Sequence, residues 1–242
     1  MPLNTLDEIF AYLEAADKPS VVAIDEFQQI GTYEEKNVEA LLRSKIQQCK
    51  QTVFIFSGSK RHVMSNMFNS SSKPFYQSAI SMGLAPISME VYADFATRLF
   101  EERGKRIERE LIKRVYEAFD GYTWFVQMLM NELFSMTAHD ELCGMDKFET
   151  AFRNVVWVQE PSYKELLSNL STKQRVLLQA IAKEGVAKNI TSAAFIKKYN
   201  LQSASSVQSA LKPLLKHDWV ILSEEGYRVY DYFFSHWLAK EY

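Results

Sequence analysis

The chain has 242 residues, enough for one to two domains at roughly 150 residues each. Apolar residues make up 47% and charged residues 24%, a balance that suits a globular protein and excludes a disordered one. Lys and Arg number 28 against 30 Asp and Glu, so the formal net charge is −2 and no strong overall field attracts nucleic acid or anionic lipid.

The opening residues lack the basic and apolar regions of a signal peptide, and no apolar run approaches the ~20 residues that cross a bilayer. The expectation is a cytoplasmic protein without membrane contact. Cys49 and Cys143 stand alone, in no C-x-x-C pair, which points to neither a disulfide framework nor a zinc site. Thr5 and Glu8 have capping-box spacing ahead of a short amphipathic helix that stops near Pro19. Ser20–Ile24 is then a continuous apolar run, too short for a helix, that ends in Asp25 and Glu26. Such a run predicts a strand buried on both faces of a parallel sheet.

Val38, Leu41, Leu42, Ile46 and Cys49 mark an amphipathic helix, and a second buried strand follows at Thr52–Phe56, ending in Ser57-Gly58-Ser59. Strand, helix and strand in this order form a right-handed crossover unit of an α/β fold. A third short strand is expected at 84–87. Beyond it, four helices are read from Tyr92/Phe95/Leu99, Ile107/Leu111/Val115/Phe119, Phe125/Met128/Leu129 and Phe148/Phe152/Val155, with a boundary at Glu160-Pro161. The remainder gives a helix capped by Ser171-Thr172, a helix around Phe195, a helix with Val207, Leu211 and Leu214, and two strands around Glu224-Glu225-Gly226. Three helices and a hairpin form a winged helix-turn-helix pattern.

Candidate chemistry sits at the strand ends. In P-loop ATPases a buried strand ends in an Asp that holds Mg²⁺ and a Glu that activates water, at the carboxyl edge where open α/β sheets bind ligands. Acidic strand ends also serve solubility alone, and Ser-Gly-Ser is ordinary turn chemistry. The order of features carries more information than either motif. Asp25-Glu26-Phe27-Gln28, then Ser57-Gly58-Ser59-Lys60-Arg61-His62, then Lys73-Pro74-Phe75-Tyr76, then Gly121-Tyr122-Thr123, then Tyr227 to Phe234 with Trp237, resemble archaeal-type ATPases of the AAA+/STAND P-loop group from about Ser20 onward.

That resemblance implies a partial P-loop core over residues 1–90, a helical lid over 91–160 and a winged-helix domain over 161–242. It implies ATP and Mg²⁺ as cofactors in a full-length member, with Asp25 on the metal, Glu26 on the attacking water, Ser57 sensing phosphate and Arg61 meeting phosphate charge. Gly121 and Thr123 fall where the family's lid turn approaches adenine, although Thr123 replaces the Pro often found there. The tail reads Asp231-Tyr232 where the family usually has Asp-Pro.

None of the eight glycines belongs to a G-x-x-x-x-G-K-[ST] stretch, whose backbone N–H groups and Lys would cradle phosphates. The resemblance thus implies a truncated ATPase whose present residues bind no nucleotide efficiently. It also leaves the Val53–Phe56 strand with an unpaired edge, open to a homo-oligomer or a missing N-terminal segment. The alternative is a non-catalytic winged-helix module that binds DNA or a protein. Residues 171–242 carry ten Lys and Arg against six Asp and Glu, and the third helix offers Ser205, Gln208 and Lys212 to bases or phosphates.

Overall fold

The computed structural model describes residues 2–33, 35 and 37–241, without the side chains of 2–4, 61 and 241. The chain divides into two compact units, Met1–Leu84 and Ala85–Tyr242.

In the first unit, helix α1 (Pro2–Glu14) precedes strand β1 (Ser20–Ile24), helix α2 (Val38–Gln48), strand β2 (Thr52–Phe56) and helix α3 (Arg61–Asn69). Thr5 lies inside α1, since the helix already starts at Pro2, where a proline's missing N–H costs nothing. β1 and β2 pair in parallel with Ser20 opposite Thr52 and Ile24 opposite Phe56, as the strand–helix–strand order predicts.

The expectation of burial on both faces fails. Phe54, Phe56 and Ile24 pack inward, whereas Val21, Val53 and Ile55 are 68%, 61% and 52% exposed. The continuous apolar pattern is that of a two-sided sheet, but the described residues of this unit cover only one side.

Behind the covered side lies a cluster of phenylalanines. Phe27 is 1% exposed and its ring lies 4.3 Å from Phe56, 5.1 Å from Phe75 and 5.8 Å from Phe68. Aromatic pairs at these separations contribute about 0.5–1.5 kcal/mol each beyond area burial, and emptying such a site costs about 3–5 kcal/mol. The strand expected at 84–87 is absent. Residues 81–88 carry no regular secondary structure, with Leu84 and Ile87 exposed, because no described strand lies beside them to supply hydrogen bonds.

The second unit holds α4 (Met89–Glu101), β3 (Arg106–Ile107), α5 (Arg109–Ala118), α6 (Thr123–Ser135), β4 (Leu142–Cys143) and α7 (Phe148–Ser168). It continues with α8 (Thr172–Glu184), α9 (Ala193–Lys198), α10 (Ala204–Lys216), the hairpin β5 (Val220–Leu222) and β6 (Tyr227–Val229), and α11 (Tyr232–Glu241). The four helices read from sequence before residue 160 are all present. The two-residue parallel pair β3–β4 carries too short a pattern to be read.

The expected boundary at Glu160-Pro161 falls inside α7, which runs through Pro161. One apolar core joins both sides of it, from Tyr92 and Leu111 to Leu178, Phe233 and Leu238. Ser171 caps α8 in a full capping box with Gln174, and Ser192 and Ser203 cap α9 and α10. No helix among the described residues is long and apolar enough to cross a membrane.

Asp231 starts α11 by accepting the Phe234 N–H at 3.0 Å. Burial pushes its carboxyl pKa up, against the lowering effect of the Phe234 and Phe233 N–H groups. Folding raises this pKa, so the folded chain binds the proton more tightly than the unfolded chain. The stability that Asp231 contributes is therefore fullest in acid and declines as pH rises through the raised value. Asp231→Asn keeps a capping oxygen without the charge. Thermal unfolding measured across pH should show a variant at least as stable as wild type at neutral pH and lacking that decline.

Candidate functional site

The parallel register determines what stands at the carboxyl end of the small sheet. Ile24 is opposite Phe56, so Asp25 and Ser57 leave their strands side by side, and the Ser57 N–H donates to the Ile24 carbonyl at 3.0 Å. The Phe27 N–H then returns to the Ser57 carbonyl at 2.9 Å, which ties the two chain ends together on both sides of the carboxylates.

Asp25 and Ser57, each read separately at the end of its own strand, meet directly. The Ser57 hydroxyl donates to Asp25 Oδ1 at 2.6 Å, and the Glu26 N–H donates to the same oxygen at 2.9 Å. These two donors, the hydroxyl first, hold the exposed Asp25 carboxyl below the usual carboxylate range. Both bonds go to Oδ1, and the Asp25 side chain is exposed, which leaves Oδ2 without a hydrogen-bond donor among the described residues.

Glu26 lies beside it in the left-handed region, φ 49° and ψ 39°, a conformation that costs a non-glycine residue about 1–3 kcal/mol and persists only where its surroundings impose it. Here they do. Phe27 behind it is buried, and Glu26 Oε2 accepts from Gln28 Nε2 at 2.5 Å and from the Ser59 hydroxyl at 3.2 Å.

Gln28 and Ser59 stand in the motifs quoted from the sequence, but the sequence reading assigns them no role, because their contacts close across the sheet and not along the chain. Gly58 makes the arrangement possible: a Cβ there would lie 2.2 Å from Gln28 Oε1 and 2.8 Å from Met64 Sδ. Arg61 begins α3, and its side chain lies outside the described residues. Among the described residues no group of three or more His, Cys, Asp or Glu side chains is arranged to hold a metal by itself. A carboxylate pair of this kind suits Mg²⁺, which keeps several waters and takes substrate phosphates as further ligands.

Gly121 and Thr123, expected at a lid turn, lie in the second unit. Gly121 has φ +70° and closes α5 through its N–H to the Tyr116 carbonyl at 3.0 Å, and a Cβ would meet the Tyr116 ring at 2.5 Å. Thr123 is the exposed first residue of α6. The turn between them is held from the winged helix: Arg228 Nη1 and the Tyr232 hydroxyl donate to Asp120 Oδ2 at 2.8 and 2.6 Å, and the Arg228 guanidinium lies 5.3 Å from the Tyr122 ring centre.

Ser205, Gln208 and Lys212 share one exposed face of α10, while Val207, Ala210, Leu211 and Leu214 on the opposite side are buried. Lys216 continues the exposed face, and Glu224 and Glu225 form the tip of the wing.

Ser57→Ala removes the larger of the two donors to Asp25, so its carboxyl should titrate nearer the ordinary range, as read by carbon-detected NMR. Asp25 has a depressed pKa, so the stabilisation it gives is present above the ordinary carboxylate range and lost as pH falls through the depressed value. The variant therefore loses part of that stabilisation at neutral pH, and its stability falls less steeply as the pH is lowered.

The comparisons follow the same division of the chain. Residues 161–240 match the family described as a probable winged helix domain. No curated protein matches the sequence. A Walker-type ATPase of Pyrococcus abyssi is similar in structure, with a TM-score of 0.62 and 19% identity over 96% of this chain. This chain spans 66% of that protein's length. Two variants of RuvB from Thermotoga maritima each give a TM-score of 0.50 and 15% identity, covering 97% of this chain and 74% of theirs. The fold is therefore a mixed α/β region with a small parallel sheet, a helical region and a C-terminal winged helix, the fold of a Walker-type ATPase.

Proposed function

We propose that this chain carries the carboxylate side of an ATP-hydrolysing site of the AAA+/STAND kind, with the phosphate-gripping loop supplied from outside these residues. The observation that carries the reading is the 2.6 Å bond from Ser57 to Asp25 across the parallel register, which leaves Asp25 charged with its second oxygen without a donor among the described residues. In this reading Asp25 Oδ2 is the ligand side of a hydrated Mg²⁺, an ion that neutralises phosphate charge when bound. Glu26 accepts the proton of the attacking water, and Ser57 relays the presence of phosphate to Asp25. Arg61, at the start of α3, meets phosphate charge. Gly121 and Thr123, in the second unit, are the counterparts of the family's lid turn, which approaches the base in a full-length member.

No G-x-x-x-x-G-K-[ST] stretch occurs in the sequence, so nothing in these residues cradles the β-phosphate. Calorimetry with Mg·ATP should accordingly give no micromolar binding. Mn²⁺ at millimolar concentration should broaden the amide signals around Asp25 and Ser57, with the effect lost in Asp25→Asn. Micromolar Mg·ATP affinity would overturn the outside supply of the phosphate grip, and Mn²⁺ broadening unaffected by Asp25→Asn would overturn the metal role.

The same reading gives the bare face of the sheet a purpose. Val21, Val53 and Ile55 and the free edge of β2 are where an additional strand and its covering helix complete the core, from a preceding segment or from a second copy. Sedimentation at high micromolar concentration should therefore show self-association, reduced by Val53→Lys. A strictly monomeric profile counts against the second copy.

Contact with DNA or protein through the winged helix is a second reading, favoured by the exposed polar face formed by Ser205, Gln208 and Lys212. The acidic wing tip at Glu224 and Glu225 repels a phosphate backbone, which favours a protein over DNA on that side.

A further inference from the structure

Gln28 is 3% exposed, in a 3-10 turn directly behind the carboxylates. A buried amide is stable only where its groups are paired, and this one is half paired. Its Nε2 donates to Glu26 Oε2 at 2.5 Å and to the Ser59 hydroxyl at 3.4 Å, while its Oε1 lies against Gly58 with no hydrogen-bond partner. The Ser59 hydroxyl donates onward to the same Glu26 oxygen at 3.2 Å, which closes a three-membered ring of polar groups. For stability alone, a methionine of similar length would fill this site without an orphaned carbonyl.

We propose that Gln28, assisted by Ser59, is the positioning residue of Glu26. It fixes Oε2 against the β2–α3 loop and leaves Oε1 outside this ring of hydrogen bonds, as the oxygen that takes a proton from water. The geometry gives each carboxylate its own serine, Ser57 for Asp25 and Ser59 for Glu26, with Gly58 between them because only a residue without Cβ lets the Gln28 amide reach across. The aim of Glu26 is therefore set by the loop that carries Ser57. Any displacement of that loop moves both carboxylates together. This inference rests on the reading of Glu26 as the proton acceptor.

The test is side-chain amide NMR on the whole chain at neutral pH, where an amide proton donated to a carboxylate shifts downfield. One Gln28 Nε2 proton should be shifted in the wild type and in Asp25→Asn, and should lose the shift in Glu26→Gln. Ser59→Ala, at an exposed position, should retain the fold and change the Gln28 and Glu26 side-chain signals together. Gln28→Met should unfold at the same or a higher temperature than wild type while the Glu26 carboxyl carbon signal moves, since the orphaned carbonyl is gone and the clamp with it.

A Gln28 signal indifferent to Glu26→Gln overturns the proposal, as does a Gln28→Met variant that melts well below wild type with the Glu26 signal unmoved, which would make Gln28 a packing residue. These results are independent of the Mg·ATP and Mn²⁺ titrations. A clamp present without metal binding leaves the positioning in place and removes the hydrolytic role, and metal binding without the clamp does the reverse.

Discussion

The parallel register of β1 and β2 is the constraint on which the first unit depends. With Ile24 opposite Phe56, the next residue of each strand emerges at the same level, and Asp25 meets Ser57 without any further device. A slip of one residue would turn Phe54 and Phe56 outward and bring Val53 and Ile55 against the core, because side chains alternate between faces. The register is therefore fixed by the phenylalanines behind the sheet. Phe27 links that packing to the chemistry, since it is buried among Phe56, Phe68 and Phe75 and lies next in the chain to Glu26. The left-handed backbone of Glu26 follows from this attachment: the chain must turn at once from a strand into a buried aromatic.

Much of this was legible in the sequence, and the reasons differ by element. The two strands and the crossover helix announced themselves by short apolar runs and helical spacing, and α8 by the serine and threonine at its start. Asp25 and Ser57 were legible because each ends a strand. Gln28 and Ser59 were not, since their roles depend on a side-chain ring closed across the sheet that no spacing along the chain encodes.

The misreadings in the sheet share one cause. The pattern at 84–87 and the two-sided apolarity of Ser20–Ile24 and Thr52–Phe56 describe a larger sheet than the one the described residues build. An apolar strand pattern records the environment for which a segment is suited, and it cannot supply the neighbour that completes that environment.

The second unit shows how charge placement separates a structural use of a winged helix from a recognition use. Arg228 is the cation within the hairpin's own strands, and it is bonded to Asp120 with its guanidinium near the Tyr122 and Tyr232 rings. Its side chain is 15% exposed, so the positive charge stabilises the turn before α6 and is not offered to a partner. The tip of the same hairpin carries Glu224 and Glu225 in solvent. One apolar core runs from α4 to α11, and the ring of Phe119 at the end of α5 lies 4.9 Å from Phe233 in α11. A hairpin that turns its guanidinium inward and its carboxylates outward is built to hold the Asp120–Thr123 turn in place.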